Sequence, residues 1–277
     1  MPVLWKEVRK PIIQGIDNKN SKIGLVATIV TLLITYLICY ESRCLDVDVI
    51  HASYVMMFTM IGMIFNVVLS VSSITSEKES LAWPILLTTS LDDWQIIQGK
   101  AIGVFYRCLP VWLLLAGHVL LFVFVGYIHP IALIQLPIII SGLIIFLTGM
   151  GLYTSSRFKR TTWAIITSFA LILVIWMVVP IILSIITGIT GHYNVEIFGL
   201  YYSANPVVQI GVVMNSISGI YNSGAHLSSL KYTWPAVRHF GGAYGTTKLL
   251  LIIMAAYTSF GLFFAWLARS RIRRNIF

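Results

Sequence analysis

The sequence predicts an all-α polytopic membrane protein. It has six transmembrane helices, an N-terminal amphipathic surface helix and a short cytoplasmic helix between spans two and three. Three observations carry this reading. Hydrophobic residues make up 58% of the 277 and charged ones 10%, against about 25% charged in a soluble domain, and mean hydropathy is +0.87. The apolar residues fall into six runs, each near the ~20 residues that cross a bilayer. Finally, the basic residues are divided unequally between the two sides that those runs define.

Taken in order, residues Met1 to Lys22 are polar and basic, with Trp5, Val8, Ile12 and Ile13 at roughly helical spacing. Such a helix lies on the membrane surface, its tryptophan toward lipid and Lys6, Arg9 and Lys10 toward headgroups. A cleavable signal peptide is not expected, because the first apolar run is followed by Glu41-Ser42-Arg43 and not by a small-x-small site. The six runs are placed at about Ile23–Tyr40, Ala52–Ile74, Ala101–Val125, Ile131–Tyr153, Trp163–Ile189 and Thr247–Ala268. With the N-terminus inside, 15 of the 19 Lys and Arg fall on the inner side, and only Arg43, Lys231, Arg238 and Lys248 on the outer. The positive-inside rule therefore puts both termini in the cytoplasm. The tail ARSRIRRNIF reads as a basic inner anchor.

The spans hold little ionisable chemistry. They contain no Asp or Glu; Arg107 stands two turns from Lys100, close enough to snorkel inward, and His118 reads as an imidazole bonded to a neighbouring helix. Pro110, Pro137 and Pro180 interrupt spans three, four and five, as membrane helices tolerate. In span two, Met56, Thr59, Met63, Asn66, Ser70 and Ser73 recur at spacings of three and four and so share one face. Polar and small residues hide from hydrocarbon, which turns this stripe toward a packed helix, a second copy or a translocation path. Met56, Met60 and Met63 also admit Cu(I), although methionine fills gaps in any helix packing. The outer segment, roughly 190–246, is rich in Gly, Ser, Asn and Tyr. Asn205-Pro206 there precedes VVQIGVVM, too short to span: a re-entrant or interfacial helix, or a surface loop.

Several function classes are excluded by motif. The chain has no G-x-x-x-x-G-K-[ST] phosphate loop, no H-E-x-x-H and no G-x-S-x-G elbow, and its spans carry no carboxylate for proton coupling. Cys39, Cys44 and Cys108 have neither disulfide parity nor metal spacing. No cofactor or metal site is expected. The charge of +9 tracks the membrane and not a nucleic-acid face.

The one long polar segment between inner-side spans is Ile74–Lys100, ITSEKESLAWPILLTTSLDDWQIIQGK, where Glu77, Lys78, Glu79, Asp92 and Asp93 gather. Trp83-Pro84 is expected to break the helix leaving the membrane. Ser90 is expected to cap a second helix from Leu91, with Asp92 and Asp93 in its first turn. A short helix over Glu77–Thr88 is expected between them.

A span ending S-E-K-E-S, then L-L-T-T, an acidic turn, an isoleucine pair and G-K resembles the loop of ABC-2-type transporter permeases. The N-terminal PVLWKEVRKPI, the six spans, the long outer segment and the basic tail share the resemblance, which includes permeases catalogued with multicopper-enzyme maturation. The family's glycine shortly after the acidic pair is replaced here by Ser80 and Leu81. The resemblance implies one permease domain over 1–277, the membrane subunit of an ABC exporter in a bacterial cytoplasmic membrane. It implies a partner ABC ATPase subunit, a second permease copy or homologue, and a coupling helix. In that helix Trp83, Leu86 and Leu87 anchor to the ATPase and Glu77, Lys78 and Glu79 set the register. The outer element would gate the exit. The alternative class is a membrane scaffold or assembly factor that transports nothing.

Overall fold

The computed structural model describes residues 18–88, 91–190, 195–219, 224–235 and 240–272. Backbone inside a bilayer must satisfy its own N–H and C=O groups, which a helix does within one segment. The described chain is built accordingly: α1 (Asn18–Glu41), α2 (Asp48–Glu79), α3 (Trp83–Leu87), α4 (Asp93–Val125), α5 (Ala132–Arg157), α6 (Thr161–Leu173), a π-helical turn (Val174–Val178), α7 (Val179–Thr190), α8 (Val195–Ala204), α9 (Pro206–Ile217) and α10 (Ala243–Arg271). Among the described residues the β structure is one isolated antiparallel bridge, Ile128 to Ser218.

Among the described residues five helices are long and apolar enough to cross a membrane: Asp48–Glu79, Asp93–Val125, Ala132–Arg157, Thr161–Ile189 and Ala243–Arg271. The first predicted span coincides with α1, of 24 residues, but its apolar stretch, Val26–Glu41, is shorter than the other five. Of the expected surface helix, residues 1–17 lie outside the described residues, as does the tail beyond Ile272.

Burial sorts the helices into centre and rim. In α2 and α5, 56% of the most apolar window is buried; in Thr161–Ile189 the share is 6%. The first two are the core of the bundle, and the last lies at its rim, with Ile165, Phe169, Ile172, Ile175 and Trp176 half-buried against the core and the rest of its apolar surface outward. The most extensive helix–helix contact joins α5 to α10, and small residues permit it. Gly142 and Gly149, seven apart, lie on one face of α5. A Cβ on Gly149 would overlap the Gly261 carbonyl, and one on Gly261 would stand 2.6 Å from the Ile145 carbonyl oxygen. Backbones this close gain dispersion contacts that larger side chains would forbid.

Pro110 and Pro137 sit inside helices that run on unbroken. Pro180 acts differently. Its missing N–H deprives the Trp176 carbonyl of an α-helical donor, and the turn just before it is π-helical. Side chains from the outer segment supply the substitute donors. Asn205 Nδ2 donates to the Trp176 carbonyl at 2.8 Å, Tyr201 to that of Ile175, and Tyr202 to that of Pro180 at 2.7 Å.

Asn205 also caps α9, accepting from Val207 N at 3.0 Å, with Pro206 following where its fixed φ suits a first helical turn. The apolar piece around VVQIGVVM is thus a helix, Pro206–Ile217, that buries Gln209, Ile210, Val213, Met214 and Ile217 and packs on α2 and α5. Beyond it Tyr232 donates to Gln135 Oε1 (3.1 Å) and Trp234 to Thr246 Oγ1 (2.9 Å), closing this end of the bundle. Burial pushes the Tyr232 phenol up, and its bond to Gln135 opposes the shift.

Candidate functional site

At the opposite end, α2 continues five residues past Ile74, so Glu77, Lys78 and Glu79 are helical. Successive side chains on a helix diverge by about 100°, and these three reach three different elements. Glu77 Oε2 meets Lys100 Nζ of α4 at 2.9 Å, with both side chains buried. Lys100 also donates to the Ser73 carbonyl at 2.7 Å. Lys78 Nζ donates to the carbonyls of Ser155 (3.0 Å), Ser156 (2.6 Å) and Phe158 (3.1 Å), at the C-terminus of α5. Glu79 accepts from Thr161 N at 2.7 Å and from Thr161 Oγ1 at 2.9 Å, at the N-terminus of α6. A cation thus meets a helix C-terminus and an anion a helix N-terminus, the signs that complement the helix dipoles. The sequence E-K-E ties α2 to α4, α5 and α6 at one level. Ser155 reinforces the tie, accepting from Thr75 N (3.0 Å) and donating to the Val71 carbonyl.

The expected helix over Glu77–Thr88 is divided. α2 stops at Glu79; Ser80 and Ala82 flank Leu81, which has left-handed φ (58°), and the five-residue α3 follows. Trp83-Pro84 does not break α2: Pro84 stands in the first turn of α3, where its missing N–H costs nothing. The cap of α4 is Asp92 and not Ser90, which lies outside the described residues. The Asp92 side chain accepts from Trp94 N (3.2 Å), and Gln95 closes a capping box, so α4 begins at Asp93 and not Leu91.

Within this loop Trp83 is 2% exposed. It points inward, with half-buried Leu86 and Leu87 beside it, onto Ile74, Ile96, Ile97, Leu152 and Ala268. The outward apolar side chains are Leu81, 76% exposed, and Ile85, 70% exposed. Pro84 is exposed between them. The structure therefore gives the apolar anchor and the three charges to the chain itself and leaves a different apolar pair facing out.

The span-two stripe is internal as well. Thr59, Met63, Asn66, Ser70 and Ser73 are buried and Met56 half-buried. Thr59 bonds the Val55 carbonyl (2.8 Å), Asn66 Oδ1 accepts from Thr148 of α5 (3.1 Å) and Ser73 bonds the Ser70 carbonyl (2.7 Å). A Cβ on Gly151 would overlap Ser70 Oγ. The chain's own α5 covers this face. His118 pairs with the Tyr36 hydroxyl of α1, and Arg107 is buried within α4. Among the described residues no three His, Cys, Asp or Glu side chains come together as metal ligands.

No family model matches the chain, and no curated protein matches it. The site is therefore read from its own geometry. Sequence reasoning found the E-K-E segment but missed its partners Lys100, Ser155 and Thr161. A signal for the first was present: Glu77 and Lys100 flank the apolar runs of consecutive antiparallel spans at the same height, with opposite charge.

Proposed function

We propose that the chain is the membrane permease subunit of an ATP-binding cassette transporter of the ABC-2 type, exporting its substrate with ATP hydrolysed by a separate ATPase subunit. In this reading α1 is the sixth span, both termini are cytoplasmic, the membrane is the bacterial inner one, and a second copy or homologue completes the assembly. The observation that carries it is the E-K-E clasp beneath an outward apolar pair. Leu81 and Ile85 stand on a loop whose root is bonded to α4, α5 and α6 at distances of 2.6–3.1 Å. A push or pull on that loop reaches three membrane helices without first bending a soft linker. The ATPase contact is thereby moved from Trp83, Leu86 and Leu87 to Leu81, Pro84 and Ile85. The charges 77–79 act as the transmission, not as the docking register.

Ile85→Asp places a charge in the contact and should cost several kcal/mol of association, since a buried unpaired charge is not tolerated. Ile85 touches little of its own chain, so the protein should remain inserted and thermally stable. Loss of the ATP-hydrolysing partner with folding intact supports the reading. Retention of partner and transport by Ile85→Asp and Leu81→Asp alike would refute the docking surface. A scaffold would show no ATP-hydrolysing partner at all.

A further inference from the structure

We propose that a bilayer phospholipid with an anionic headgroup occupies the groove between α10, α8 and the π-helical turn of the α6–α7 helix, with Phe146 of α5 at its base. Its acyl tail runs along α10 and its phosphate meets Arg157 and Arg271. The groove has a volume of about 560 Å³ and follows α10 from Leu249 to Phe264, about 22 Å at the helical rise, enough for a full acyl tail within a hydrocarbon core about 30 Å thick. Its floor is Phe146, Trp176 and Tyr257. The polar atoms along it are already committed: Trp176 Nε1 donates to Tyr257 (3.2 Å), Tyr257 to the Ala204 carbonyl (2.6 Å) and Asn205 Nδ2 to the Trp176 carbonyl (2.8 Å). An occupant must therefore be apolar along this length. From the helix Thr161–Ile189 only Ile175 and Trp176 line it, and Leu200, Ile252, Ala256 and Phe260 are exposed along it, so the groove opens sideways onto surface that a bilayer covers.

Charge at one end of the groove selects the headgroup. Phe264, the last groove residue of α10, packs on Tyr153 with ring centroids 5.6 Å apart. The Arg271 guanidinium lies over that same ring, 5.7 Å from its centroid. Arg157 follows Tyr153 by one helical turn on α5 and is exposed. Arg271 stands seven residues past Phe264, about 10 Å further along the axis. An apolar slot continued by two arginines matches a tail followed by a phosphate, whose oxygens the guanidinium fork fits. The tail would supply packing that the protein does not give to the α6–α7 helix. The inference stands apart from the coupling proposal, because it uses none of residues 77–100.

Native mass spectrometry in mild detergent, with palmitoyl-oleoyl phosphatidylglycerol or the matching phosphatidylcholine added, tests it. Wild type should hold one phosphatidylglycerol at about tenfold lower concentration than phosphatidylcholine, whose phosphate is the same but whose quaternary ammonium the two arginines repel. Arg157→Gln with Arg271→Gln should erase the preference and keep a weak adduct. Ala256→Trp, which fills the groove from an exposed position, should remove both adducts and the rise in melting temperature that phosphatidylglycerol gives wild type. Equal binding of the two lipids, an undiminished adduct in Ala256→Trp, displacement by inorganic phosphate, or a second copy of the chain seated in the groove would overturn the proposal.

Discussion

Lys100→Met should destabilise this protein more than any surface substitution, and the structure sets the scale. Lys100 is 0% exposed and Glu77 5%. Their side chains meet at 2.9 Å. Breaking a buried pair by removing one member costs about 3–5 kcal/mol, and the Ser73 carbonyl loses a donor besides. At about 2–4 °C per kcal/mol for a large domain, the melting temperature should fall by roughly 6–20 °C. Glu77→Gln combined with Lys100→Met removes both charges and should recover much of that loss, because replacing a buried pair costs far less than breaking one. Fluorescence-detected unfolding of wild type, both single variants and the double variant in one detergent gives the coupling directly. An unchanged melting temperature for Lys100→Met, or a double variant whose loss is the sum of the singles, would refute the clasp as an energetic unit.

Gly261→Val should lower the melting temperature sharply or prevent folding, since even a Cβ there meets the Ile145 carbonyl at 2.6 Å. Gly117→Ala, with no neighbour within 4 Å, should be neutral or stabilising by up to about 1 kcal/mol in the same assay. Glu79→Gln should weaken the anchor at the start of α6, raising hydrogen exchange at residues 158–164 while the amides of α5 above Thr148 stay protected. Single cysteines in a cysteine-free background should label from outside at Ser42 and not at Ser270 in intact cells, as the 15-to-4 division of basic residues requires. Labelling at Ser270 with protection at Ser42 would invert the topology.

The long helices were legible because twenty apolar residues in a row leave few alternatives, and most of the boundaries drawn from hydropathy fall within a few residues of α2, α5 and α10. Loop geometry was harder to see. Leu81 takes a left-handed φ that sequence would assign to glycine, so the break after Glu79 has no marker of its own and Trp83-Pro84 is the breaker that the sequence displays. Asp92-x-x-Gln95 is a capping-box pattern present in the sequence, but Ser90 stands two residues earlier and offers the same chemistry. The inward turn of Trp83 depends on Ile96, Ile97, Leu152 and Ala268 converging from three helices, which no local pattern records. The same holds for Asn205. Its capping of Pro206 is local and readable, whereas its bond to the carbonyl that Pro180 strands joins residues 29 apart.

The most direct test of the coupling account is ATP hydrolysis by the assembly purified through this chain in mild detergent, wild type against Ile85→Asp. The account predicts that wild type brings down a chain bearing a phosphate loop and hydrolyses ATP. Ile85→Asp should arrive folded, with an unchanged melting temperature, and without that chain or activity. Wild-type protein that is intact and inserted yet carries no ATP-hydrolysing partner would contradict it.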